Sequence, residues 1–258
     1  FGDTLQFIRL GLQLQEQGMR IRLFCQPQLL PLLEEGSQLE HVSDRMAPEE
    51  FKEGTRWCPL MSLPHRLQLN ASTIPYADGY LKICSNRVEQ WQQQLRRDPN
   101  KLLIGLHWQG NIGHEQKLYS RGRSMPFHAL KGLAGLDNIE FVAVQKGDAL
   151  QQLDPNMGLT FVDGQDAFNA SMDFRDTAAV LKCCDLLISA DSGVVHLAGA
   201  LGVPTWVALR WVPEWRWGLS GSSTPWYSTL KLYRQRELGD WASVIGPMRR
   251  DLETLLRR

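Results

Sequence analysis

From residue 99 onward, short continuous apolar runs alternate with amphipathic ones. "KLLIGLHW" (101–108), "IEFVAVQKG" (139–147), "DLLISA" (185–190) and "PTWVAL" (204–209) read as buried strands. Between them, "PFHALKGLAG" (126–135), "DTAAVLKCC" (176–184) and "SGVVHLAGALG" (192–202) read as helices. Strands alternating with helices predict a parallel sheet covered on both faces, a doubly wound α/β domain. The C-terminal "DWASVIGPMRRDLETLLRR" is amphipathic in parts, with Pro247 expected to break or kink it.

The first 98 residues are less regular. "GDTLQFIRLGLQLQEQG" predicts a helix with Leu5, Ile8 and Leu12 on one face, Asp3 as N-cap and Gly18 as C-cap. "IRLFC" (21–25) follows as a short buried strand, and "PQLLPLLEE" (27–35) as a helix after Pro27. The chain thus opens at a strand-to-helix turn with no strand ahead of it, as expected of a fragment or of a chain that extends upstream. Residues 26–80 carry many turn signals, and "RVEQWQQQLRR" (87–97) is a helix ending at the linker "DPNK". Two domains are expected, at 1–98 and 99–258.

Composition narrows the classes. The chain has 258 residues, 43% hydrophobic and 22% charged, as in ordinary globular proteins. With 28 basic and 28 acidic residues it carries no nucleic-acid footprint. The longest apolar stretch, Val194 to Leu209, is interrupted by His196 and Pro204 and is too short to span a bilayer, and no signal peptide is visible. Five cysteines without a CxxC pair suit free thiols in a reducing compartment, which predicts a cytoplasmic protein and silent sequons at Asn70 and Asn169.

The candidate chemistry lies at strand exits. In "SADSGVVHLAGALG", Ser192 can cap a helix whose first amides, at Gly193 and Val194, suit phosphate oxygens; Asp191 and His196 stand beside them. The alternative is a capped helix in which Asp191 and His196 satisfy backbone groups. "HWQGNIGHEQKLYSRGRSMP" (107–126) shares that rim and offers Lys117, Arg121 and Arg123 for anionic oxygens, or is a solvated basic loop. Gln145 and Lys146 in "VQKGD" can meet a nucleotide or simply end a strand. "RWVPEWRW" (210–217) can stack on a base or sugar, or plug a domain interface. Asp3, after Gly2, is either a helix cap or a general base facing the phosphate site. Familiar alternatives fail: Asn111 stands where a Walker lysine is required, "HEQKL" has no second histidine, and no GxGxxG follows a strand.

Together, "DSGVVHLAGALGVP", "GLHWQGN", "RGRSMPFHAL", "VQKGD" and "FGDTLQFIR" resemble glycosyltransferase family 9. The likeness is closest to the heptosyltransferase-like bacterial domains that follow tetratricopeptide repeats, and "EWRWGLSGSSTPWYSTLKLYRQ" is similar to that branch. The resemblance covers nearly all of 99–258 and only loosely 26–98. It implies a GT-B-like α/β fold: two Rossmann-like doubly wound domains facing across a cleft, with the last helix (about 240–258) packing back on the first domain. It implies metal-independent, inverting transfer of a sugar from a nucleotide-sugar to an acceptor, with no cofactor. The donor diphosphate would meet Arg123, Ser192, Gly193, Val194 and His196; the donor sugar Asp191; the nucleotide Gln145 and Lys146. Asp3 matches the family's proposed base, and Arg123 stands where a lysine is expected. Two other functions are weighed: a non-catalytic nucleotide-sugar-binding or interaction module, and a nucleotide-sugar epimerase on the same fold. Donor base, sugar and acceptor are not specified by the sequence.

Overall fold

The computed structural model of the chain describes residues 1–46 and 54–257. Its first unit opens with helix α1 (Gly2–Glu16), strand β1 (Arg22–Phe24), helix α2 (Leu30–Gly36) and strand β2 (His41–Ser43). β1 and β2 pair in parallel, Leu23 beside Val42. Phe1, not Asp3, is the N-cap of α1, so Asp3 lies within the first helical turn. Gln17 is the C-cap, and Gly18 follows in the left-handed region at φ 86°. One helical turn, α3 (Leu63–Arg66), interrupts the irregular connection to α4 (Ser85–Leu95).

The second unit contains strands β3 (Leu102–His107), β4 (Ile139–Ala143), β5 (Leu186–Ala190), β6 (Thr205–Leu209) and β7 (Leu230–Arg234). Its helices are α5 (Ile112–Glu115), α6 (Gln165–Ala170), α7 (Phe174–Cys183), α8 (Gly193–Ala200) and α9 (Ala242–Leu255). All five strands run parallel, in the order β4-β3-β5-β6-β7. The chain therefore reverses its winding direction between β3 and β5, and ligands of doubly wound sheets bind beyond the strand ends at such a point.

The buried strands carry apolar residues on both faces. Leu103, Leu187 and Val207 join one core cluster, while Ile104, Ile188 and Trp206 join the other. The second cluster lies under α9 and a 3₁₀ stretch, Phe127–Leu133, where the sequence predicts an α-helix. The first cluster continues without a break into Leu5, Phe7 and Leu33 of the first unit. Helix α1 lies directly on α8, and α4 lies on α7, so the two parallel-sheet units share a core along one seam.

Two expectations are corrected here. Helix α9 packs chiefly on β6, β7 and the 127–133 stretch of its own unit rather than back on the first. Pro247 lies inside α9 without ending it, because Val244, Ile245, Met248 and Leu252 anchor the helix on both sides of the lost bond. Strands β2 and β7 are additional to the sequence reading.

Candidate functional site

The site forms where β3 and β5 end and α8 begins. Ser192 occupies the N-cap position of α8 in extended conformation, but its hydroxyl does not cap the helix. It lies 3.2 Å from Nδ1 of His107, the last residue of β3, and Ser189 lies 3.5 Å from the same nitrogen. The opening amides of α8 therefore have no side-chain cap and face the switch point with the helix's positive end. Full burial pushes the His107 imidazole down to about 4, so it stays neutral and buttresses Ser192.

Asp191 is buried, and its Oδ1 lies 3.0 Å from Arg123 Nη2. The contact is electrostatic without hydrogen-bond alignment: Asp191 Oδ1 and Arg123 Nε both lack hydrogen-bond partners. An aligned ion pair would satisfy both atoms, so this one retains polar capacity at the rim. The 108–125 loop that presents Arg123 is folded by local bonds. Ser124 contacts Glu115 through both its amide and its hydroxyl, and the Gly110 amide donates to Ser124 at 2.9 Å.

The first unit reaches the same place. A Cβ on Gly2 would stand 2.9 Å from Cδ2 of His196 and 3.5 Å from Cα of Gly193, so only a glycine lets α1 begin this close to α8. Asp3 is thereby brought to the rim, where its Oδ1 accepts a 2.9 Å bond from Arg216 Nη2. Half of the Asp3 side chain remains exposed.

His196 does not face the rim. Its Nδ1 lies 3.0 Å from the Tyr227 hydroxyl, its Nε2 lies 3.1 Å from Arg216 Nη1, and its ring stacks on Trp217 at 5.5 Å. Burial first, then the charges of Arg216, Arg9 and Arg123, hold its pKa well below the usual range. A guanidinium only donates, so Nε2 accepts and Nδ1 carries the proton.

Gln145 commits both ends of its amide to backbone. Its Oε1 accepts from the amides of Trp108 and Gln109, and its Nε2 donates to the carbonyls of Gln109 and Lys146. Lys146 donates to the Phe168 carbonyl, with its ammonium 3.4 Å from the centre of that ring, and burial lowers its pKa to about 8. Gln145 is thus occupied in shaping the β3 exit, and Lys146 is tied to α6.

The tryptophan-rich segment divides. Trp217 is buried against His196, whereas Trp211 and Trp215 are more than half exposed. The residues missed by sequence reasoning are His107, Glu214, Arg216 and Tyr227. Glu214 pairs with Arg216 two positions on, but the partners that bring His107, Arg216 and Tyr227 to the site lie 20 to 213 positions away, and no local pattern signals such pairings.

Among the described residues, no group of three or more His, Cys, Asp or Glu is placed to hold a metal, and no helix is long and apolar enough to cross a membrane. Two cavities of about 350 Å³ lie away from the site. One lies on the β1–β2 face near Phe24 and Val42, the other beside Trp241.

Comparison with known proteins locates one family. Residues 163–209 match the model of glycosyltransferase family 9 (heptosyltransferase). This segment runs from α6 to the end of β6 and contains Asp191 to His196, but neither Asp3 nor Arg123. Protein FlbA of Caulobacter vibrioides is 25% identical over 208 residues, covering 78% of this chain. The chain spans about a third of that relative, 34%. Among solved structures, Escherichia coli ADP-heptose LPS heptosyltransferase II is 14% identical with a TM-score of 0.46, over 68% of this chain and 53% of that one. A glycosyl transferase family 9 protein from Veillonella parvula is 15% identical with a TM-score of 0.46, over 76% and 58%.

Proposed function

We propose, from the match of residues 163–209 to the glycosyltransferase family 9 model, that this chain transfers a sugar from a nucleotide-sugar to an acceptor hydroxyl with inversion. The observation that carries the reading is the meeting of two helix starts. Gly2–Asp3 of the first unit and Asp191–Gly193 of the second face one another at the switch point of the sheet. A carboxylate from one side and uncapped amides from the other are what a displacement between two substrates requires.

In this reading the donor diphosphate lies on the Gly193 and Val194 amides, with Arg123 beside it. The Asp191 carboxylate, freed from Arg123 by the arriving phosphate, accepts hydrogen bonds from the donor sugar. Asp3 takes the proton of the acceptor hydroxyl as its oxygen attacks the anomeric carbon. The bond from that carbon to the phosphate oxygen breaks on the opposite face, and its electron pair leaves with the nucleoside diphosphate. Amide dipoles and Arg123 stabilise the growing charge, so no step calls for a metal.

The test is release of nucleoside diphosphate in EDTA, with the anomeric configuration of the product read by proton NMR. Inversion by wild type and loss in Asp3→Ala support the reading; retention or a magnesium requirement overturns it. A second reading, a module that binds the donor without consuming it, is favoured by the Asp3–Arg216 ion pair, which occupies the base. It predicts saturable donor binding with no release.

A further inference from the structure

Arg216 lies on the segment after β6, is 8% exposed, and meets both units at once. Its Nε donates to Glu214 Oε2 at 2.7 Å, and Nη2 donates to Glu214 Oε1 at 3.3 Å. Nη1 donates to Gln6 Oε1 at 2.7 Å and to His196 Nε2 at 3.1 Å. The second donor of Nη2 goes to Asp3 Oδ1 at 2.9 Å. A guanidinium has five N–H donors, and all five are engaged. It has none left for a phosphate oxygen, so its place in the site is not that of a phosphate ligand.

Its partners show what it does instead. Glu214 grips one edge of the fork, and Glu214 itself caps the turn that carries Arg216, accepting from the Arg216 amide at 3.1 Å. Gln6 ties the fork to α1, one turn beyond Asp3. The His196 imidazole ties it to α8, one turn beyond Ser192, and is itself fixed by Tyr227 and Trp217. Of the four groups, Asp3 is the one whose side chain is half exposed. The network is rigid at three points and presents the fourth to the rim.

We propose that Arg216 is a positioning residue of the transfer site, which holds the Asp3 carboxylate of one unit in register with the α8 end of the other. This rests on the proposed function, since it gives Asp3 the role of base. Lysine keeps the charge but offers three donors from a point, so it cannot span Glu214, Gln6, His196 and Asp3 together.

The experiment uses wild type, Arg216→Lys, Arg216→Ala, Asp3→Ala and the double variant Asp3→Ala/Arg216→Lys, each checked for a native melting transition. Two quantities are read: affinity for inorganic pyrophosphate by calorimetry, and kcat and KM for nucleoside diphosphate release from the donor selected by binding. Arg216→Lys is expected to lower kcat about tenfold or more, with donor KM and pyrophosphate affinity within about threefold of wild type. Arg216→Ala falls further and regains rate with added guanidinium, which refills the vacated fork. If the alanine variant does not fold, the lysine variant carries the test. The double variant is no slower than Asp3→Ala, because both changes remove one function. The proposal is overturned if folded Arg216→Lys keeps kcat within twofold of wild type, or if the double loss is the product of the single ones. Failure of the underlying reading looks different: wild type then neither binds pyrophosphate nor releases nucleoside diphosphate, and both ideas fall together.

Discussion

The five-stranded sheet and the two-stranded unit before it are built from the same parallel β–α alphabet but stand on different supports. Each central strand of the larger sheet is buried on both faces, under α7 and α8 on one side and α9 on the other. Among the described residues the smaller unit pairs β1 with β2, and its apolar residues are completed by α8, Trp226 and Tyr227 across the seam. The Asp3 carboxylate is thus carried on the less self-sufficient unit, and the seam determines where it points. Stability of the seam and geometry of the site become one question.

The seam is most directly broken at Arg9. It is fully buried in α1 and donates to the carbonyls of Trp226, at 2.6 Å, and Pro75 and to the Tyr80 hydroxyl, while stacking 4.5 Å from the Tyr227 ring centre. Arg9→Leu strands those acceptors in an apolar core and is expected to cost about 3–5 kcal/mol by urea unfolding. A cost below about 1 kcal/mol would mean that the first unit does not depend on the seam.

Acid probes the larger unit. His107 is neutral in the fold with a pKa of about 4, against 6.5 for the free side chain. The unfolded chain therefore binds the proton first, and stability is lost as pH falls from about 6.5 towards 4. The loss is on the order of 3 kcal/mol from this group, and His107→Asn should reduce the pH dependence of the melting temperature across that window, leaving the part that buried His196 contributes.

On the α8 side of the seam, a Cβ at Gly199 would press to 2.4 Å from the Tyr227 ring. Gly199→Ala is expected to cost about 1–3 kcal/mol and to lower donor turnover with it, because Tyr227 fixes His196. The smallest effect is at the end of α1, where Gly18 has φ 86° with open space around it. Gly18→Ala should cost about 1 kcal/mol in thermal denaturation and leave nucleotide affinity unchanged.

How far the sequence can be read follows the same division. Strands β3, β4, β5 and β6 are continuous apolar runs, and the Asp191–Gly202 segment carries its helix signals locally, so both were legible. The stretch 126–135 has helical periodicity yet forms 3₁₀ turns, with the Gly132 backbone packed so closely that an added Cβ would stand 2.6 Å from Ile245. Strand β7 follows a turn-rich stretch, and its partner, β6, lies more than twenty residues back. Asp3 and Asp191 could be singled out by position. That Ser192 turns to His107 rather than capping α8, and that Arg216 takes Asp3, depends on contacts across 85 and 213 residues, which no local pattern encodes.

In the proposed function the α8 end, completed by α1, binds the diphosphate of a nucleotide-sugar. The most direct measurement is calorimetric titration of UDP, ADP, GDP and CDP and their sugar conjugates in EDTA, against wild type and Asp191→Ala. The predicted result is one-to-one binding of one nucleotide family, with Asp191→Ala weakening the sugar conjugate about tenfold or more and the bare diphosphate much less. A folded protein that binds none of them at millimolar concentration, or binds them only with magnesium, would contradict it.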